Sequence, residues 1–106
     1  MPRFLVYCPD LPDVLEKRMT VRPQHVERAK SDLEGGINVY GGALLPRPNT
    51  PARSRPVPAG AENYNGSFMV YVMDRYDDVW DRLKEDIYWK SGVWDTEKII
   101  VEELIG

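Results

Sequence analysis

Short apolar runs and longer amphipathic stretches alternate along this chain, and their spacing predicts its elements. Arg3 to Cys8 is a run of aromatic and aliphatic residues closed by Pro9, which reads as a strand. Asp13 to Arg18 reads as a short helical turn. A longer helix is predicted from about Val21 to Leu33, with Thr20 as N-cap, Pro23 in its first turn and Gly35-Gly36 as its stop. Its apolar positions are Val21, Val26, Ala29 and Leu33, the spacing of a buried helical face. Ile37 to Leu45 is a second strand interrupted by Gly41-Gly42, which implies either a bend or a close approach to the backbone. Gly66 to Met73 is a third strand. Asp74 then caps a second helix with Tyr76, Val79, Trp80 and Leu83 at helical spacing. Asp86 to Val93 reads as a turn or short helix ended by Gly92, and Lys98 to Leu104 as the last strand.

The order strand, helix, strand, strand, helix, strand predicts an α+β fold, a ferredoxin-like βαββαβ sandwich with an antiparallel sheet. The strands add a second expectation. Phe68, Val70 and Val72 point one way and Met69, Tyr71 and Met73 the other, so both faces of this strand are apolar. Phe4, Val6 and Cys8 against Leu5 and Tyr7 repeat the pattern. Two helices cover one sheet face; a second copy of the chain would cover the other, giving a homodimer.

Between the second and third strands, Pro46 to Asn65 carries five prolines with Arg47, Arg53 and Arg55 and has no helix or strand period. Such a stretch reads as a functional loop or a solvated insertion, and its arginines as a means of recruiting an anion.

Composition narrows the function. The 106 residues fit one domain, and a net charge of −3 with 42% hydrophobic residues describes an ordinary globular protein. No apolar run approaches the roughly 20 residues of a membrane span, and no signal-peptide pattern is present, so a cytoplasmic location is expected. An acidic balance without a basic stripe argues against nucleic acid as the partner. With one His and one Cys the chain has no zinc cluster, and neither glycine pair opens a nucleotide-phosphate loop, so no metal and no cofactor is expected.

What remains is His25. A neutral imidazole accepts a proton near pH 7, and a carboxylate on its other nitrogen fixes the tautomer and supports the charged form. Asp86, far along the chain, is the candidate partner. Arg22, one turn-step from His25, suits a substrate carboxylate or enolate, although a surface ion pair is an equal reading. Ser67 and Tyr88 are candidate substrate-orienting residues.

The segments Leu15-Glu16-Lys17-Arg18, Val21-Arg22-Pro23-Gln24-His25, Gly66-Ser67, Asp86-Ile87-Tyr88 and Gly92-Val93 together resemble the YciI-like (YCII-related) family. The resemblance spans nearly the whole chain and implies a dimeric α+β barrel with a His–Asp dyad, which maps onto His25 and Asp86. Ile87 stands where the family usually has proline, and Pro46 to Asn65 is longer than the hairpin the family implies. A few members resemble dehydrochlorinases or other eliminating enzymes acting on ring compounds. The expected activity is therefore a cofactor-free lyase or isomerase: proton abstraction, elimination or dehydration on a cyclic or aromatic small molecule, with Arg22 suited to an anionic one. The alternatives are a non-catalytic small-ligand-binding or accessory dimer and, less favoured, a haem protein with His25 as axial ligand.

Overall fold

The computed structural model describes residues 1–106. In chain order the elements are β1 (Arg3–Pro9), α1 (Leu15–Glu34), β2 (Asn38–Leu44), a 3-10 turn (Pro51–Ser54), β3 (Gly66–Val72), α2 (Tyr76–Lys84), α3 (Ile87–Lys90) and β4 (Ile100–Glu103). The four strands form one antiparallel sheet in the order β2-β3-β1-β4, the α+β arrangement expected from the sequence. No helix is long and apolar enough to cross a membrane.

The sheet's two faces are unequal. Phe4, Val6 and Cys8 of β1, Met69 and Tyr71 of β3 and Val101 of β4 are buried beneath the helical layer. Val79 and Leu83 of α2, Tyr88 of α3, and Val14, Val93, Trp94 and Ile99 complete this core. Leu5, Tyr7, Phe68 and Val70 lie on the opposite face and are only half-buried, while Tyr40 and Ile100 are exposed there. The helical layer therefore covers one face alone.

Several local expectations are corrected. The predicted turn at Asp13 to Arg18 and the helix from Val21 are one continuous helix. Its start is Val14, without a side-chain cap, and Thr20 lies inside it, donating its hydroxyl to the Glu16 carbonyl. Pro23 sits mid-helix, where it cannot donate to the Met19 carbonyl; packing of the flanking turns outweighs a defect that typically costs about 3 kcal/mol. Nor is the apolar stripe the buried face. Leu15, Arg18 and Asp32 are the buried positions of α1, whereas Val26 and Leu33 are exposed. Arg75, not Asp74, stands at the N-cap of α2, and its side chain engages Asp78 rather than the backbone. The last strand is shorter than predicted.

The Pro46 to Asn65 segment is folded on itself. Thr50 donates to the Arg47 carbonyl, Arg53 Nη1 to the Pro46 carbonyl, and Asn63 Nδ2 to the Ala52 carbonyl. Arg55 reaches Asn63 Oδ1 and the Tyr64 carbonyl. Two of the three arginines expected to recruit an anion are thus spent on the loop's own carbonyls, because five prolines leave few backbone donors to satisfy them.

The register of β2 on β3 slips between Asn38 and Tyr40, immediately before the glycine pair. A Cβ on Gly41 would stand 2.8 Å from the Phe68 carbonyl oxygen, while one on Gly42 would meet nothing. Gly41→Ala is therefore expected to destabilise the fold by about 1–3 kcal/mol in urea unfolding, with Gly42→Ala close to wild type.

Candidate active site

α1 carries Arg18, Arg22 and His25 at i, i+4 and i+7, one stripe of the helix. That stripe faces a cavity of about 350 Å³ between α1 and the β2–β3 half of the sheet, lined also by Asn38, Gly41, Ser67, Tyr71, Asp86 and Tyr88. All five residues singled out from the sequence, His25, Asp86, Arg22, Ser67 and Tyr88, line this one space.

His25 Nδ1 lies 2.9 Å from Asp86 Oδ1 and 3.1 Å from Oδ2. Asp86 is the N-cap of α3, where its Oδ1 also accepts from the Tyr88 N–H at 2.9 Å. The missing family proline falls at Ile87, the first position of that helix; the aspartate cap holds the turn without it. His25 stacks on Tyr88 with ring centroids 4.0 Å apart and 16° between planes, and presents an edge contact to Trp94. With Nδ1 facing the carboxylate, the hydrogen belongs on Nδ1 and the lone pair on Nε2, which has no protein partner. The next turns of α1 extend the clamp: Arg28 donates to the carbonyl and carboxylate of Glu85, and Asp32 pairs with Arg82. Arg28 holds the Glu85 carboxyl below its usual range.

Of a second cluster, only Ser67 was singled out in the sequence. Arg18 is buried, and its Nη1 donates to both oxygens of Asp10 at 2.6 and 2.8 Å. Its Nη2 donates to Ser67 Oγ at 3.0 Å, and Trp94 Nε1 donates to the same oxygen at 3.1 Å. The guanidinium also lies 4.5 Å from the Tyr88 ring centre. The convergence follows from topology. Leu11 N–H bonds the Val93 carbonyl and Asp95 N–H the Pro9 carbonyl, so the segment after α3 runs beside the end of β1. Cys8 and Ser67 are register partners at the same end. Burial pushes the Asp10 carboxyl up despite the pull of Arg18.

Arg22 makes no ion pair with a carboxylate. Its guanidinium lies over the Tyr64 ring at 5.3 Å, leaving its donors free toward the cavity. Tyr88 is a neutral phenol, its pKa pushed up to about 12 chiefly by burial. Burial likewise raises the Cys8 thiol, which makes it an inert core residue rather than a nucleophile. The chain contains no cluster of three or more His, Cys, Asp or Glu side chains able to hold a metal. Chemically, the cavity offers one base position, the unpaired cations Arg22 and Lys30, and several neutral hydrogen-bonding groups against aromatic walls.

Fold and site together define a small α+β domain with a histidine–carboxylate pair opening on an apolar cavity. The YCII-related domain matches residues 2–103, and the chain belongs to this family. It is 30% identical over 101 residues to fusaric acid biosynthesis protein 2 of Gibberella fujikuroi, covering 95% of this chain and 90% of that protein. Aspercryptin biosynthesis cluster protein B of Emericella nidulans is 28% identical over 94 residues, covering 89% of this chain; the chain spans 56% of that relative's length. Among solved structures, the 5-chloro-2-hydroxyhydroquinone dehydrochlorinase TftG of Burkholderia phenoliruptrix AC1100, in complex with 2,5-dihydroxybenzoquinone, shares the fold. Its TM-score is 0.73 at 23% identity, covering 97% of this chain and 93% of that one.

The two arginines of the stripe differ in what their surroundings demand. Asp10→Ala strands the buried Arg18 charge and is expected to cost about 3–5 kcal/mol in urea unfolding. Arg22→Ala breaks no pair and is expected to stay within about 1 kcal/mol of wild type.

Proposed function

We propose that this protein is a cofactor-free lyase or isomerase that removes a proton from a small cyclic or aromatic substrate, with His25 as base and Asp86 as its orienting partner. The observation that carries the reading is the 2.9 Å contact between His25 Nδ1 and Asp86, which leaves Nε2 unpartnered at the cavity. In the forward step Nε2 takes a proton from a ring carbon or hydroxyl. The electron pair moves into the ring, and a leaving group on a neighbouring carbon departs as its anion, or the pair returns elsewhere as an isomerised double bond. The imidazolium so formed is stabilised by Asp86 and returns its proton to water. The loss of HX is redox-neutral. Arg22 draws in an anionic substrate, and Ser67 and Tyr88 orient its oxygens by hydrogen bonds. The apolar walls suit a ring, and TftG, which shares the fold, holds a dihydroxybenzoquinone.

The test is chloride release from, and deuterium exchange into, a panel of chlorinated hydroxyhydroquinones and cyclic ketones. His25→Gln and Asp86→Asn are expected to lower the rate by about 10²–10⁴-fold with unchanged circular dichroism. A His25→Gln protein as active as wild type overturns the assignment. Bound ligand without exchange or release would instead favour the non-catalytic binding role.

We also infer that the working unit is a homodimer closed by the sheet face carrying Leu5, Tyr7, Phe68 and Val70, whose half-exposed apolar side chains the helices leave uncovered. Light scattering after size exclusion is expected to give twice the chain mass; a stable monomer at micromolar concentration contradicts it.

A further inference from the structure

The Ser67 hydroxyl is held in an unusual state of hydrogen bonding. A serine hydroxyl has two acceptor lone pairs and one hydrogen. Both groups that contact Ser67 Oγ, the Arg18 guanidinium at 3.0 Å and the Trp94 indole N–H at 3.1 Å, can only donate. They occupy both lone pairs. No protein acceptor receives the remaining hydrogen, although Ser67 is buried and lines the cavity. A freely rotating serine offers a ligand either a donor or an acceptor; this one has only its O–H left to offer.

We propose that Ser67 is a fixed donor that recognises a carbonyl, phenolate or enolate oxygen, and that the Asp10–Arg18 pair and Trp94 are the positioning residues that lock it. This deepens, and rests on, the reading of the cavity as a substrate site. Arg18 acts in two ways. Its positive charge polarises the hydroxyl to which it donates, making the O–H a stronger donor. Its own position is pinned by the charge-assisted bonds from Nη1 to both Asp10 oxygens, so the donor is set before a ligand arrives. Asp10 also neutralises the charge, so that the cluster presents a hydrogen rather than a bare cation. The chemistry selects substrates in which negative charge gathers on an oxygen attached to the ring as the proton leaves. A substrate offering only donors at that position would leave the hydroxyl unpaired and be rejected.

4-Nitrophenol is a suitable probe, because its neutral and ionised forms differ in colour and the affinity of each is read by titration across its pKa. Wild type is expected to bind the phenolate more tightly than the phenol. Ser67→Ala is expected to lower that preference by about 10- to 100-fold, the worth of a hydrogen bond to a charged acceptor. Ser67→Cys, nearly isosteric and a weak donor, is expected to fall between the two and guards against an Ala variant that fails to fold. A role confined to packing would weaken both forms alike and leave the ratio unmoved. The same ratios are measured in a His25→Gln background, where the Ser67 effect is expected to persist; the outcome is then independent of whether His25 is the base. An unchanged ratio in folded Ser67→Ala, or a wild-type protein without phenolate preference, overturns the proposal.

Discussion

A buried positive charge organises this molecule. Arg18 emerges from the first turns of α1 into a region closed to solvent, and an isolated guanidinium there would be prohibitively costly. It is tolerated because three separate parts of the chain meet around it: Asp10 after β1, Ser67 at the start of β3, and Tyr88 in α3. Asp10 neutralises the charge, Ser67 accepts a hydrogen bond from it and the Tyr88 ring lies beside it. The cluster thereby ties the helix to the two central strands and to the corner after α2. The pair adds little net stability, since burial of Asp10 offsets much of the attraction; what it supplies is a unique geometry.

Tertiary contacts divide α1 into a clamped side and an open side. His25, Arg28 and Asp32 fasten successive turns to Asp86, Glu85 and Arg82, three charged contacts along one corner. Fastened there, the helix stands off from β2, whose glycines contribute no side chains to close the gap. Val26 and Leu33 are left at the rim of the resulting cavity. The site is thus a by-product of how the helix is held: the contacts that position His25 also keep the space in front of it open. Tyr88 links the two clusters, stacked on His25 and lying near the Arg18 guanidinium, so the His25–Asp86 pair and the Asp10–Arg18–Ser67 cluster are packed on the same ring.

Of this arrangement, the sequence by itself determined the element order, the antiparallel α+β class and the identity of His25 and Asp86 as a pair worth bringing together. Strand periodicity is short-range, with a period of two that any pleated segment obeys, and so the faces of β1 and β3 were legible residue by residue. The family wording did the same for His25 and Asp86. The apolar stripe of α1 misled because periodicity reports that a face is apolar, not what lies opposite it; here that is a cavity. Thr20 misled because a capping residue type also occurs inside helices, and Asp74 because α2 begins one residue later than the capping type suggests, with Arg75 at the cap. Only the tertiary structure decided the second cluster. Ser67 was named from the sequence, but Asp10, Arg18 and Trp94 are ordinary residues at unrelated positions, and no spacing joins the four. Their meaning lies in a count of donors and acceptors around one oxygen, a property of the assembled site that has no local trace in the chain.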